Sequence, residues 1–133
     1  MFIDRLINET NGPLVERALH FAAARHSLIL ENISNVDVPG YRQKDLSEAK
    51  FIARLRERVA ERAGAGPGTV DFADVAADLE NPKAGILFHD KNNRSMERLM
   101  SDLAKNGMRY TMAIEILKKQ YSQMEMALRE RVS

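Results

Sequence analysis

Apolar residues recur at helical spacing in two long segments, one near each end of the chain. In the first segment, a seven-residue repeat and a second series offset by four positions put the apolar side chains on one stripe of an α-helix. The repeat is Val15, Ala22, Ile29 and Val36, and the offset series is Leu19, His26 and Ile33. Asn11-Gly12 has the composition of a helix cap, and Pro13 fits the first turn because its missing N–H has no partner there. The pattern predicts an N-terminal amphipathic helix over residues 13–35.

The C-terminal segment carries two interleaved heptad series, the second four residues behind the first. The first series is Met96, Leu103, Tyr110, Leu117 and Met124, and the second is Met100, Gly107, Ile114, Tyr121 and Leu128. Heptads sustained over this length predict a long coiled-coil helix, here over residues 93–131. Asn106-Gly107 interrupts the apolar pattern, and glycine in a helix costs about 1 kcal/mol relative to alanine. We therefore expect a hinge or a point of close contact at Gly107.

The segment between these helices, residues 36–92, has weaker signals. Residues 46–62 predict a short surface helix with apolar positions among alternating Arg and Glu. Residues 64–68 contain three glycines and one proline, which is typical of a flexible connection, and residues 86–88 predict a short extended piece. The chain is therefore expected to form a single unit, residues 1–133. Its predicted fold is mainly α, with long terminal helices that pair as a coiled-coil-like hairpin around a short, weakly structured middle.

Composition excludes several classes of function. Lys and Arg total 20 against 19 Asp and Glu, so a net charge of +1 gives no field that would attract nucleic acid. The absence of cysteine removes disulfides, thiolate metal sites and cysteine nucleophiles. Asp4 and Glu9 interrupt the apolar run that a cleavable signal peptide would need, and no apolar run is long enough for a transmembrane helix.

No arrangement of residues predicts catalysis, a metal site or a cofactor site. Glu16 and His20 could face one way on a helix, but two ligands do not make a metal site. His26 lies on the apolar stripe, with no serine or aspartate pattern around it that would make it a catalytic base. The chain is therefore predicted to be neither an enzyme nor a binder of a small-molecule substrate.

The clearest motif lies where the first helix is expected to end, at Leu30-Glu-Asn-Ile-Ser-Asn-Val-Asp-Val-Pro-Gly-Tyr-Arg42. Asparagine side chains can bond the free backbone groups of a helix end, and Pro-Gly favours a tight turn. This motif resembles the signature of the bacterial flagellar rod and hook proteins. The matching residues are Asn32, Asn35, Pro39, Gly40, Tyr41 and Arg42, whereas Val38 replaces the threonine common in that family and Ser34 its frequent alanine.

A second resemblance lies at the start of the C-terminal helix. Residues 90–97 and 103–110 are similar to the stretch in which proximal-rod proteins open that helix. The positions that match are Ala104, Asn106, Arg109 and Tyr110, whereas Arg94-Ser95 departs from the family's usual Val-Asp. This pairing, together with a short middle segment and no long β-rich domain, favours the proximal-rod type over hook or distal-rod relatives.

The resemblance implies a structural subunit of the flagellar basal-body rod. Members of this family leave the cytoplasm through the flagellar type III export apparatus without a cleaved signal and polymerise in the periplasm through their terminal helices. The implied partners are copies of the chain, other rod proteins, the basal-body membrane ring and its adaptor. The apolar positions of both helices would then form an assembly seam. It comprises Val15, Leu19, Ala22, Ile29, Ile33, Met96, Met100, Leu103, Tyr110, Ile114, Leu117, Tyr121, Met124 and Leu128.

Two alternatives fit the same heptad pattern. The apolar positions could form only the core of a monomeric bundle. A soluble helical adaptor or export chaperone could also use such a helix to form a small coiled-coil oligomer.

Overall fold

The computed structural model describes residues 11–41, 43–65, 86–87 and 96–132. In chain order the elements are helix α1 (Gly12–Ser34), strand β1 (Lys44–Asp45), helix α2 (Glu48–Gly64), strand β2 (Ile86–Leu87) and helix α3 (Met96–Val132). The predicted mainly α fold, with long helices near both ends and a shorter middle, is confirmed. The predicted middle helix over residues 46–62 corresponds to α2.

Helix α1 begins at Gly12 with Asn11 at the capping position. The Asn11 side chain makes no capping hydrogen bond, and its carbonyl oxygen instead accepts the first helical bond from Val15 N–H at 3.1 Å. Pro13 lies in the first turn, where a backbone N–H would have no helical partner. The helix start therefore depends on proline and backbone geometry rather than on an asparagine cap.

The two long helices pack against each other as a hairpin. The buried residues of α3 are Leu99, Asn106 and Ala113, spaced by seven, and α1 buries Ala22 and Ile29 with the same spacing. Asn106 is 1% exposed, and its side-chain N–H donates to the Ala22 carbonyl oxygen at 2.7 Å. A buried amide satisfied across the interface favours one register of the pair, because a shift would leave it without a partner.

A second apolar cluster attaches α2 to α1. The rings of Phe21 and Phe51 stack with centroids 4.2 Å apart, and Leu28 and Leu46 complete the buried cluster. Ser47 caps α2, because its hydroxyl accepts a hydrogen bond from Lys50 N–H. The start of α2 is thus fixed against α1, whereas most of its later residues are exposed.

The strands form a short antiparallel pair in which Lys44 lies opposite Leu87 and Asp45 opposite Ile86. An extended piece was predicted for residues 86–88, of which Phe88 lies outside the described residues, as do residues 66–68 of the glycine-rich connection. Helix α3 continues through Asn106 and Gly107 without a break, so the structure shows close contact at this point, between Asn106 and Ala22, and no kink.

Candidate assembly site

The motif after α1 forms a tight turn that closes the helix. Asn35 N–H and its side-chain amide both donate to the Glu31 carbonyl oxygen, at 3.1 and 2.8 Å. The chain then reverses over residues 38–41, where Tyr41 N–H donates to the Val38 carbonyl oxygen at 3.2 Å. Gly40 has φ +77°, a conformation that side chains disfavour, and the preceding proline fits a type II turn.

Asn32 connects the helix to the chain that returns from this turn. Its side-chain N–H donates to the Lys44 carbonyl oxygen at 2.6 Å, and its side-chain oxygen accepts from Lys44 N–H at 3.0 Å. The Asn32 side chain thus bonds both backbone groups of Lys44, as a neighbouring strand would, and it is almost completely buried. Arg42, the last residue of the motif, lies outside the described residues.

A polar cluster, formed by Arg25, Asp45, Glu48 and Arg109, lies beside this connection. Arg25 binds both carboxylate oxygens of Asp45, at 2.9 and 3.0 Å, and the oxygen Oε2 of Glu48 at 3.4 Å. The same Glu48 oxygen accepts from Arg109 of α3 at 2.8 Å. The hydrogen bond with Asp45 is the main cause that raises the pKa of Arg25, against the opposing effect of burial. The cluster therefore joins α1, β1, α2 and α3 through balanced charges.

Tyr41 places its hydroxyl in a buried position without a hydrogen-bond partner among the described residues. Burial, followed by the nearby charge of Glu31, raises the pKa of Tyr41 above its ordinary value of 10.0. The neutral phenol is therefore the form that suits the folded chain.

The raised pKa predicts a pH effect on stability. Below about pH 10 the phenol is neutral in both the folded and unfolded chains, so its contribution is fully present. As the pH rises further, the unfolded chain loses this proton first, and the free energy of unfolding falls until the folded-state pKa is passed. Tyr41→Phe should reduce this fall in the free energy of unfolding at alkaline pH, as measured by urea unfolding between pH 8 and 11. Tyr121→Phe, at an exposed position, serves as the control. It should leave the fall in the free energy of unfolding unchanged.

On α1, the predicted assembly seam lies on the face that packs within the chain. Ala22 and Ile29 are buried, and Val15, Leu19 and Ile33 are half-buried. On α3, the predicted residues divide into two groups. Leu103, Ile114, Leu117 and Met124 are half-buried, whereas the exposed ones are Met96, Met100, Tyr110, Tyr121 and Leu128.

The seam that pairs with α1 is offset from the predicted second series by one residue. Leu99, Asn106 and Ala113 each precede a member of that series, Met100, Gly107 and Ile114. One residue is about 100° around a helix, so the second predicted series lies on a flank of the paired face. This flank remains accessible to another molecule, and its role in assembly stays a prediction.

Sequence reasoning missed the residues whose partners are distant in the chain. Arg25 and Glu48 were not singled out, because their charges resemble those of any solvated helix face. Leu99 is 1% exposed yet belongs to neither predicted series. One signal was present, since Asn106 lies seven residues from both Leu99 and Ala113, the pattern of a polar residue within an apolar seam.

A metal-binding cluster and a membrane-spanning helix are both absent from the part of the chain that the structure describes. Nowhere in it do three His, Asp or Glu side chains gather as a metal ion would require. None of its helices has the length and apolar character needed to cross a membrane.

Comparison with known proteins shows what the sequence of this chain is similar to. No protein-family model matches the chain. It is 26% identical to the flagellar basal body rod protein FlgB of Salmonella typhimurium, over 79% of the chain and 83% of that protein. It is 27% identical to FlgB of Aquifex aeolicus, over 73% of the chain and 75% of that protein. With FlgB of Bacillus subtilis it shares 25% identity over 86% of the chain and 89% of that protein.

These three relatives come from distant bacteria, and each matches most of its own length, so the similarity is not confined to the turn motif. The resemblance predicted from that motif is confirmed: over most of its length this chain is similar to FlgB flagellar basal body rod proteins.

Proposed function

We propose that this chain is a structural subunit of the bacterial flagellar basal-body rod. The observation that carries the proposal is its similarity, over most of its length, to proteins that are each named as rod proteins. The geometry at Asn32 and Gly40 supports it, because these motif residues take part in a defined connection between α1 and β1. A chance match of the sequence would not be expected to have such a structural role. The chain acts as a structural protein and not as an enzyme.

The proposed mechanism is polymerisation through the terminal helices. The subunit is exported by the flagellar type III apparatus, without a cleaved signal peptide, and joins copies of itself and other rod proteins in the periplasm. The rod would also meet the basal-body membrane ring and its adaptor and would transmit torque. Exposed apolar residues along α3 support this mechanism, because apolar groups left in water favour contact with neighbouring molecules.

A charge in the assembly seam should separate export from assembly. Leu117 is half-buried on α3, and Leu117→Asp would place a carboxylate where neighbouring helices are proposed to pack. We expect export of the variant to continue while rod assembly and swimming are lost, as measured by motility in soft agar and by basal-body microscopy. Ser122→Asp adds the same charge at an exposed position of the same helix and should leave swimming intact. Swimming by the Leu117→Asp strain would contradict the assigned seam.

The alternative function is that of a soluble adaptor or export chaperone. The long heptad helix supports this function equally well, because a coiled coil also stabilises small closed oligomers. Light scattering and electron microscopy of the concentrated chain discriminate between the two. A rod subunit should form large or open-ended assemblies, whereas an adaptor should stop at a fixed small oligomer.

A further inference from the structure

Two contacts fix the register in which α1 and α3 pair. The Asn106 side chain donates to the Ala22 carbonyl oxygen at 2.7 Å, and three residues further along α1 the Asp102 carboxylate stabilises the charge of Arg25. A step forward on α1 therefore corresponds to a step backward on α3, as in an antiparallel pair of equal rise. In this register Val15, near the start of α1, is level with the next buried position of α3, seven residues after Asn106.

Helix α3 extends well beyond the part of the hairpin that α1 forms. Gly12, the first residue of α1, is level with residue 116 in this register, whereas α3 continues to Val132. The part of α3 beyond residue 116 is roughly 24 Å long at the helical rise. Residues 1–10 would span about 15 Å at the same rise, so they are long enough to cover more than half of this part of α3.

The buried heptad positions of α3 continue into this longer part. They run through Leu99, Asn106 and Ala113 to Gln120, seven residues further on. Gln120 is half-buried, and its side-chain oxygen Oε1 is buried without a hydrogen-bond partner among the described residues. A buried amide oxygen without a donor is costly, and the equivalent amide one step earlier but one, at Asn106, is bonded across the hairpin. Gln120 therefore indicates that a donor faces it on the side where α1 lies.

The neighbours of Gln120 on the same face are shielded as well. Leu117 and Met124 lie three residues before it and four after it, and both are half-buried. All other residues from 116 to 132 are exposed, including Lys118 and Ser122 on the opposite face of the helix. Shielding beyond the start of α1 is thus confined to the face that continues the hairpin.

We propose that residues 1–10 of this chain lie along this face of α3 and continue the hairpin in the register of α1. The register places Asn8 level with Gln120, where an asparagine amide supplies the N–H donor that Oε1 lacks. The contact would repeat, two heptads along α3, the role that Asn106 has within the described hairpin. The segment also carries apolar residues that would cover the flanks of Gln120, namely Phe2, Ile3, Leu6 and Ile7.

The tether to α1 favours this segment over a second copy of the chain. Asn11 joins residues 1–10 directly to the start of α1, which lies at the edge of the shielded face. A segment attached at that point has a high effective concentration at the face, and a separate molecule does not. The inference concerns contacts within one copy, so it does not depend on the proposed function.

Disulfide formation tests the placement, because the chain contains no cysteine. Asn8→Cys with Gln120→Cys should form a bond within one copy on mild oxidation of the dilute full-length chain, seen as faster migration of the monomer on a non-reducing gel. Val15→Cys with Ala113→Cys, one heptad away in the described hairpin, is the reference pair and should close at a comparable rate. Asn8→Cys with Ser122→Cys, on the opposite face of α3, should close at least tenfold more slowly.

Thermal unfolding tests the proposed hydrogen bond between Asn8 and Gln120. Asn8→Ala should lower the midpoint of unfolding by about 4 °C in the natural chain, the shift expected for the loss of one hydrogen bond. In a chain that carries Gln120→Leu, whose side chain needs no donor, Asn8→Ala should shift the midpoint by no more than about 1 °C. Thr10→Ala is the control from the same segment and should have the same effect in both chains.

Two results of the disulfide experiment overturn the inference. One is closure of the pair at Asn8 and Gln120 that is no faster than closure of the pair at Asn8 and Ser122. The other is bonding mainly between copies, seen as dimers in the dilute chain. Equal shifts from Asn8→Ala in both chains overturn the assignment of Asn8 as the donor. Gene deletion judges the proposed function separately, since rods that are lost without internal closure would refute only the inference drawn from α3.

Discussion

Replacing Arg25 with methionine is expected to destabilise the folded chain by about 3 kcal/mol, because the largely buried carboxylate of Asp45 loses its bidentate guanidinium partner. Arg25 and Asp45 side chains are only 13% and 11% exposed, and their pairing is bidentate. Methionine keeps much of the aliphatic volume of arginine. The lost stability therefore measures the contribution of the charge and of the hydrogen bonds. Urea unfolding followed by circular dichroism at neutral pH measures the change.

Arg58→Met is the matched control for this prediction. Arg58 pairs with Glu61 on the surface of α2, and its loss should cost no more than about 0.5 kcal/mol because exposed ion pairs contribute little. A difference of less than 1 kcal/mol between the two variants would mean that the polar cluster does not hold the elements together.

Replacing Asn32 with alanine should cost about 2–3 kcal/mol, because the substitution removes two hydrogen bonds and leaves the backbone groups of Lys44 unsatisfied. The Asn32 side chain is the link between the end of α1 and the start of β1, so we also expect increased amide hydrogen exchange around Lys44. Thermal unfolding and hydrogen exchange of the full-length chain measure both effects.

Asn35→Ala provides the comparison within the same motif. The Asn35 side chain bonds a carbonyl oxygen at the helix end in an exposed setting, and its loss should cost only about 0.5–1 kcal/mol. If Asn32→Ala destabilises the chain no more than Asn35→Ala, the link to Lys44 is not the structural purpose of the motif.

The turn and the helices were predictable because their causes are local. Pro39-Gly40 specifies the chain reversal through backbone preferences alone, and the seven-residue repeats identify helices whatever their partners are. The role of Asn32 was only half predictable. Its position at a helix end indicated a capping bond, but the structure directs its side chain to a residue twelve positions later.

The polar cluster and the register of the hairpin depend on contacts between distant residues. Arg25 and Asp45 are twenty positions apart, and Asn106 and Ala22 are eighty-four apart, so no short sequence window contains both partners. The broad apolar surface of α3 allowed two neighbouring heptad registers. Packing against α1 selected Leu99, Asn106 and Ala113, which left much of the other register exposed.

The proposed function accounts for these two sets of apolar residues together. One set holds the hairpin, and the exposed residues of the two predicted series would be available for contacts between subunits.

Deletion of the gene tests the central claim most directly. Basal bodies purified from the deletion strain and viewed by electron microscopy should lack rods, and a copy of the gene supplied on a plasmid should restore both rods and swimming. Complete rods in the deletion strain would contradict the assignment of this chain as a rod subunit.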